Sequence, residues 1–403
     1  MVEDVVVENG VTLSIEPGVQ IEFQDYYKLS ILGRILAIGE PGNFILFTTD
    51  EPELFSIDHS TEGCWNGIRF EDTPNTNEIS KLKYCKIEYS KAAEENGIGG
   101  AISVYDFSKL EISDCIFQNN VADFGSAFGC TMHSSPKIIS CLFKDNFAFI
   151  GGSPFYCSYS YPGITNNTII NNPVLNEEMF YATGAVHTFI SKPQITNNIF
   201  WQNENNYFEN QQLLECKDYY TTYNDIEFGH EGKGNIDEDP MFLNFPDYPF
   251  YLQENSPCID AAKPDTIGLF LPEFDILGNL RIFDGDGNGE IIVDMGAFEF
   301  IEGFIDINEI VIENPFITLY NFPNPFNPET TIYFETTNLH ENSRIEIFNI
   351  KGQKVKQFSD IRGQHSVVWD GTDNSCNPVA SGIYLAKLIS GDIVQIRKML
   401  LMK

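Results

Sequence analysis

Short runs of apolar residues recur along the first half of the chain at a nearly constant spacing. Five similar segments begin 30, 26, 27 and 30 residues apart, at Tyr84, Asp114, Ser140, Asn167 and Asn197. Each unit holds two or three runs typical of β-strands, and no stretch of ten residues has a helical pattern. Self-similarity at this period indicates a stacked repeat architecture, and the absence of helical units excludes helical solenoids and horseshoes.

We expect these units to form a right-handed parallel β-helix, with each coil about 4.8 Å from the previous one. Equivalent side chains then stack along the axis. The alignment of the repeats predicts an inner apolar column of Phe117, Phe143, Ile170 and Phe200. It also predicts a ladder of side-chain amide hydrogen bonds at Asn120, Asn146 and their neighbours.

The start of the chain has the pattern of first coils. Residues 9–23 alternate apolar and polar positions around Gly10 and Gly18, and residues 65–70 continue the pattern. From residue 5 to about residue 220 the runs resemble bacterial surface proteins of the pectate-lyase-like β-helix class. The resemblance concerns the fold rather than an activity. We therefore assign residues 1–220 to the coils of the β-helix.

Residues 221–300 carry a different pattern. Residues 234–242 lead to a Ser-Pro-Cys-Ile-Asp-Ala run at 256–261, and a Val-Asp-Met-Gly-Ala-Phe-Glu run follows at 293–299. This order of motifs is similar to the choice-of-anchor segment that follows β-helices in surface proteins. We expect residues 221–300 to form closing coils and a cap that shields the last apolar layer.

The last 85 residues predict a small antiparallel β-sandwich. Prolines at 323, 325 and 328 preset an extended, turning backbone. Residues 344–348 alternate with a period of two and lead to a hairpin tip that contains Gly352. The terminus, residues 397–403, is a short apolar strand between cations. We place an acidic linker at residues 301–318 and a separate domain at residues 319–403.

This domain closely resembles the type A C-terminal sorting domain of the type IX secretion system. The resemblance rests on the Pro-Asn-Pro-Phe-Asn-Pro opening, the hairpin at 348–355, the Trp-Asp-Gly motif at 369–371, the Ala-Ser-Gly-Ile-Tyr motif at 380–384 and the basic–apolar end. It implies that the type IX machinery is a partner and that the protein is extracellular or on the outer-membrane cell surface. Similar Ig-like modules occur in flagellar hook-assembly proteins, so an ordinary spacer sandwich is the alternative.

Charge is distributed unevenly between the two parts. The chain has 24 Lys and Arg against 58 Asp and Glu. Residues 319–403 hold 9 Lys and Arg and 8 Asp and Glu, a net charge of +1. Residues 1–318 therefore hold 15 Lys and Arg and 50 Asp and Glu, a net charge of −35. Such a body repels nucleic acid and anionic membranes and favours divalent cations. No apolar run approaches the roughly 20 residues that a transmembrane helix needs.

Two features concern export directly. The first residues, Met1-Val2-Glu3-Asp4, lack the basic and apolar regions of a signal peptide. Type IX cargo needs such a peptide, so either the chain is a fragment or a processed form, or it is not exported by this route. We expect a truncated start. Nine cysteines would ordinarily suggest disulfides in an exported protein. Two groups of them fall in register, Cys85 with Cys115 and Cys141, and Cys130 with Cys157, and parallel side chains make poor disulfides. We expect free, buried thiols.

One acidic loop is a candidate calcium site. Oxygen-bearing side chains alternate with glycines in residues 284–291, as in the first part of an EF-hand loop. The twelfth position, which should be an acidic residue, is Met295 instead. The candidate ligands are Asp284, Asp286, Asn288, Glu290 and Asp294. A plain acidic turn is the alternative.

The sequence contains no recognisable catalytic set. A lyase needs a basic residue beside calcium-binding carboxylates, and Lys109, Lys137 and Lys192 fit solvated turns better than a catalytic site. The histidines of the body are dispersed and lack ligand spacing. We therefore expect a non-catalytic surface protein that binds a glycan, such as a polysaccharide, or a protein partner along its side. The alternative is a polysaccharide lyase or glycoside hydrolase whose site is scattered over several turns.

Overall fold

The computed structural model describes most of the chain. The residues it does not describe are 175–183, 204–211, 244–249, 283–288, 290, 302–317, 323–325, 336–342, 350–352, 360, 362–365, 376, 391–392 and 402–403. The chain divides into two compact units, Met1–Phe304 and Ile305–Lys403. The predicted linker, residues 301–318, lies outside the described residues except at its two ends.

The first unit is a parallel β-helix of eight coils, and each coil contributes one strand to each of three parallel sheets. We number the coils 1 to 8 in chain order. The first sheet consists of Val5–Val7, Leu29–Ile31, Ile68–Phe70, Ile102–Tyr105, Phe128–Thr131, Phe155–Ser158, Val186–Phe189 and Leu213–Leu214. The second sheet consists of Thr12–Ile15, Arg34–Ile38, Ser80–Lys83, Leu110–Ser113, Lys137–Ile139, Gly163–Thr165, Gln194–Thr196 and Thr221–Thr222.

The third sheet completes each coil. Its strands are Gln20–Phe23, Ile45–Thr49, Cys85–Glu88, Ile116–Gln118, Leu142–Lys144, Thr168–Ile170, Ile199–Trp201 and Asp225–Ile226. A short fourth sheet lies between the third and first sheets of coils 3 to 5, with strands Lys91–Ala92, Val121–Phe124 and Phe147–Gly151. The helices among the described residues are two short 3₁₀ turns, Pro52–Leu54 and Asp218–Tyr220. The expectation of an all-β chain with a parallel β-helix is confirmed.

The inner column is as expected at three of its four positions. Phe117 pairs with Phe143, but Phe143 pairs with Ile169 and not with Ile170, and Ile169 pairs with Phe200. Our assignment of Ile170 to the column was wrong by one residue. Because side chains alternate along a strand, a shift of one residue exchanges the inner and outer sets.

Two amide ladders hold the coils in register. Asn120, Asn146, Asn172 and Asn203 form the ladder that follows the third sheet, and each side-chain amide donates to the next side chain at 2.8 Å. All four are buried. A second ladder precedes the third sheet and consists of Asn167, Asn198, Asn224 and Asn235. These bonds satisfy buried backbone groups that a tight turn would otherwise leave without partners.

Three cysteines occupy the same inward position as the asparagines of the second ladder. Cys85, Cys115 and Cys141 stack in coils 3 to 5, and the Cys141 amide donates to Asn167 Oδ1 of the next coil. Cys130 pairs with Cys157 in the first sheet. The eight cysteines within the described part of the chain are free and buried, as we expected for them. Burial raises the pKa of Cys130 to about 12, so this thiol is unreactive.

The region beyond coil 8 extends the body in two ways. Asn235 and Ile236 continue the second ladder and the third sheet. The described residues of the range 258–300 then return along the turns between the second and third sheets. Their backbone contacts Asn197 in coil 7, Asn166 in coil 6 and Tyr84 in coil 3. We call residues 258–300 the return segment.

The second unit is built from two antiparallel sheets. The first contains Thr318–Phe322, Thr330–Glu335 and Ser366–Trp369. The second contains Arg344–Asn349, Lys354–Ser359, Gly382–Ser390 and Ile393–Leu401. Its buried core includes Ile332, Ile345, Trp369, Leu388 and Met399. The expected small antiparallel region at the C-terminus is therefore present.

Candidate functional site

The acidic loop that predicts calcium binding is only partly described. Asp284, Asp286, Asn288 and Glu290 lie outside the described residues. Asp294 is buried, and its two carboxylate oxygens accept the backbone N–H groups of Asp260 at 2.8 Å and of Phe300 at 2.6 Å. Burial raises its pKa to about 7. Asp294 thus has a structural role in the return segment. Over the described residues, no group of three or more His, Cys, Asp or Glu is arranged to hold a metal ion.

The return segment encloses a buried polar cluster against the β-helix. Arg281 is fully buried and donates to the carbonyl of Ala297 at 2.8 Å and to Glu299 Oε2 at 3.4 Å. Asp114 faces this cluster from coil 4, with its carboxylate 3.7 Å from Lys83 Nζ and without a hydrogen-bond partner. Burial raises the pKa of Asp114 to about 7, although Lys83 and Arg281 oppose the effect. Arg281 thus links two parts of the return segment to each other, and the Asp114 carboxylate is enclosed beside them.

The three candidate basic residues of a lyase do not converge on one site. Lys109 Nζ donates to the carbonyl of Asn77 at 2.9 Å. Lys137 Nζ lies 3.7 Å from Glu111 Oε1 and 3.4 Å from the ring centroid of Phe270. Lys192 belongs to the turn before the second sheet in coil 7. Each lysine is part of a turn or of a surface ion pair.

The outer face of the first sheet differs from the rest of the acidic body. In coils 4 to 7 the strands alternate inward and outward residues, and Val104 and its equivalents are fully buried. The eight outward positions carry no Asp, Glu, Lys or Arg side chain. They are Ser103, Tyr105, Gly129, Thr131, Tyr156, Ser158, His187 and Phe189. We call these eight residues the neutral face.

Ring contacts organise one column of the neutral face. The rings of Tyr156 and His187 meet edge to face at 5.4 Å, and Phe124 packs on Tyr156 at 4.9 Å. Burial lowers the pKa of His187, and Glu215 opposes the shift. The imidazole therefore stays uncharged near neutral pH. Ile98 covers Gly129, because a Cβ at that glycine would lie 2.4 Å from Ile98 Cγ2.

The other column of the neutral face is open to solvent. Tyr105 is 48% exposed and Phe189 is 45% exposed, and Thr131 and Ser158 lie between them in register. The turn after this column adds exposed apolar side chains in coils 5 to 7, namely Met132, Tyr159, Tyr161 and Ile190. Contiguous exposed apolar side chains are a common feature of binding sites.

The outer face of the second sheet shows the contrast. There Lys81 pairs with Glu111 at 2.8 Å, and Glu111 also faces Lys137 of the next coil. Reading the sequence did not identify the neutral face, because its members are separated by about one repeat length. If the first-sheet strands are aligned, every second residue of the alignment belongs to this face.

In the C-terminal unit, the residues of the sequence motifs form the core. Trp369 of the Trp-Asp-Gly motif packs on Phe326 at 5.4 Å and on Tyr384 at 5.0 Å. The Trp369 indole donates to the carbonyl of Thr372 at 2.9 Å. Tyr384 of the Ala-Ser-Gly-Ile-Tyr motif donates its hydroxyl to the carbonyl of Ala380 at 2.7 Å. Three motifs that are far apart in the sequence thus meet in one aromatic cluster.

The two units define a β-helix protein with a separate C-terminal module. Residues 321–402 match the family described as the secretion system C-terminal sorting domain. The chain therefore carries the tail that type IX secretion recognises, and the protein is exported from the cell, either secreted or surface-attached. Within the described residues, no helix is both long enough and apolar enough to cross a membrane.

Two solved structures from Porphyromonas gingivalis are similar over short stretches. PorZ, described as an essential bacterial surface component of the type IX secretion system, is 21% identical over 21% of this chain and 11% of that chain, with a TM-score of 0.18. Dimeric latent PorU is 18% identical over 23% of this chain and 10% of that chain, with a TM-score of 0.19. The matched stretches span about a tenth of PorZ and about a tenth of PorU, and they carry no argument about function. No curated protein matches the chain.

Proposed function

We propose that this exported protein is a non-catalytic β-helix that binds a glycan or a protein partner through the neutral face. The observation that supports the proposal is the run of uncharged, aromatic and hydroxyl-bearing side chains over coils 4 to 7. Tyrosine and phenylalanine provide large contact areas at a small cost in conformational entropy. A rigid β-helix holds these side chains in place before the ligand arrives, which reduces the entropy lost on binding.

A glycan array with the purified full-length chain tests the proposal. We expect binding that is lost in the Tyr105→Ala/Phe189→Ala double variant. The matched control is Phe228→Ala, since Phe228 is 48% exposed but follows the third sheet instead of the first. Binding that survives the double variant and is lost in the control would contradict the assignment of the face.

The same preparation tests the alternative, a polysaccharide lyase or glycoside hydrolase of β-helix type. Reducing-sugar and unsaturated-product assays are run on each polysaccharide that binds. A non-catalytic protein releases no product from any of them. Product formation that depends on enzyme concentration would replace the binding proposal with the enzymatic one.

We also propose that the loop of Asp284, Asp286, Asn288 and Glu290 binds calcium without Asp294, whose two carboxylate oxygens accept backbone N–H groups. Its support is the alternation of oxygen ligands and glycines in the sequence. Isothermal titration of the full chain should show heat at millimolar calcium, and the Asp284→Ala/Asp286→Ala variant should abolish it. Asp239→Ala is the control, because Asp239 is an exposed carboxylate outside the loop. No heat and no thermal shift in the wild type would end the proposal.

A further inference from the structure

The open column of the neutral face is a straight row along the axis of the β-helix. Tyr105 pairs with Thr131, Thr131 with Ser158, and Ser158 with Phe189. Successive members are one strand spacing apart, about 4.8 Å, so the row is about 14 Å long. An aromatic ring stands at each end, and two hydroxyl groups lie between them.

Charge restricts what this row can bind. None of its four side chains is ionisable near neutral pH, and the neighbouring column is uncharged as well. The whole chain carries a net charge of −34. A polyanion would therefore be repelled by the body without gaining a cationic partner on the face. The ligand that fits is neutral and combines apolar faces with hydroxyl groups.

The backbone argues against a peptide strand as the ligand. The strands that carry the row are interior strands of the first sheet, and they are paired on both sides in register. Strand addition needs an unpaired sheet edge, which is not available at this row. Recognition must use the side chains alone.

We propose that the row binds a neutral, extended oligosaccharide that lies along the axis of the β-helix, with one sugar ring on each of coils 4 to 7. The inference rests on the proposed function, because it names the ligand class of the same face. A pyranose ring presents C–H groups on its faces, which pack on Tyr105 and Phe189, and hydroxyl groups at its edge, which reach Ser158 and Thr131. In an extended β-linked chain, each ring advances by nearly one strand spacing. Rings and coils therefore stay in step over four units.

Isothermal titration of the full-length chain with β-1,4-linked gluco-, manno- and xylo-oligosaccharides of two to six rings tests this inference. For at least one of the three series, affinity should increase with each ring up to four and then level off. Phe189→Ala should lower the affinity for the tetrasaccharide about tenfold, the effect of losing about 1.4 kcal/mol of contact energy. Phe228→Ala should leave it unchanged. Oligogalacturonates of equal length should bind more weakly than the neutral series.

Three results would overturn the inference. They are an affinity independent of chain length, tighter binding of the oligogalacturonates, and no binding of any neutral series. If the glycan array or a protein partner still shows binding that depends on Tyr105 and Phe189, the proposed function stands and only the inference fails. If no ligand depends on these residues, both fail. Because both side chains are exposed, unchanged thermal unfolding of the variants excludes a folding defect as the cause.

Discussion

Phe117 stacks on Phe143 of the next coil, with ring centroids 4.7 Å apart and ring planes within 6° of parallel. The separation of the rings equals the spacing of the strands that carry them, so backbone pairing and side-chain stacking share one register. Phe143 also contacts Phe155 at 4.6 Å. Phe143 therefore packs on the layer before it and on the layer after it.

Removing one layer of this stack should be severe. Phe143→Ala leaves a cavity between fully buried neighbours, and we expect the free energy of unfolding to fall by about 3–5 kcal/mol. Urea denaturation followed by circular dichroism measures the loss. The exposed Phe228→Ala serves as control and should change stability by less than about 0.5 kcal/mol. A loss below about 1 kcal/mol for Phe143→Ala would contradict its position in the column.

The asparagine ladder should be as sensitive as the apolar core. Asn146 accepts from the amide and the side chain of Asn120 and donates to the Phe117 and Lys144 carbonyls and to Asn172. Asn146→Ala leaves buried polar groups of both adjacent coils without partners, at a cost of about 3 kcal/mol. The same denaturation experiment tests it, with the exposed Asn43→Ala as control. Equal stability of the two variants would refute the structural role of the ladder.

Asp114 should make stability depend on pH. Burial raises its pKa from 3.8 to about 7 in the folded protein, so the native state keeps a proton that the unfolded chain loses above pH 4. Protonated Asp114 therefore adds to the free energy of unfolding at acidic pH, and this contribution is lost as the pH rises towards 7. Asp114→Asn keeps the neutral form, and we expect it to be more stable than wild type by about 2–4 kcal/mol at pH 8 and similar at pH 4.

Thermal unfolding of wild type and Asp114→Asn between pH 4 and pH 8 measures this difference. Only the difference between the two proteins is informative, because Asp225 and Asp294 also have a pKa raised by burial. Asp50→Asn is the control, since Asp50 is exposed. A parallel pH dependence of wild type and Asp114→Asn would show that Asp114 is not the titrating group.

The C-terminal module should direct export independently of the β-helix. Residues 319–403 are fused behind a fluorescent protein with a Sec signal, in a bacterium that has the type IX system. We expect fluorescence at the surface or in the medium, and its loss when residues 397–403 are deleted. A Trp369→Ala fusion tests whether export also requires the aromatic cluster. Periplasmic retention of the intact fusion would favour a spacer module without a sorting role.

Much of the fold followed from local patterns. The repeat period and the asparagines at 120 and 146 identified the stacked coils, because equivalent residues of a β-helix must share one environment. The motif around Trp369 identified the sorting domain. Its tryptophan is part of the core of that unit, so the motif and the fold depend on the same residue. In each coil the inner residue lies three positions before the asparagine of the first ladder, as Phe117 does before Asn120. The same spacing from Asn172 gives Ile169, whereas the alignment of segment starts gave Ile170.

What the sequence by itself determined, then, is the β-helical body with its inward phenylalanines, asparagines and free thiols, and the export tail behind it. Only the tertiary structure decided which side of that body is uncharged. Tyr105 and Phe189 are 84 residues apart in the sequence, and they share a row because three coils of backbone pairing bring them into register. The return segment was decided in the same way, because Asp294 meets Asn166 only after the chain has turned back along its own coils. Such contacts depend on geometry between distant residues, which no local pattern records.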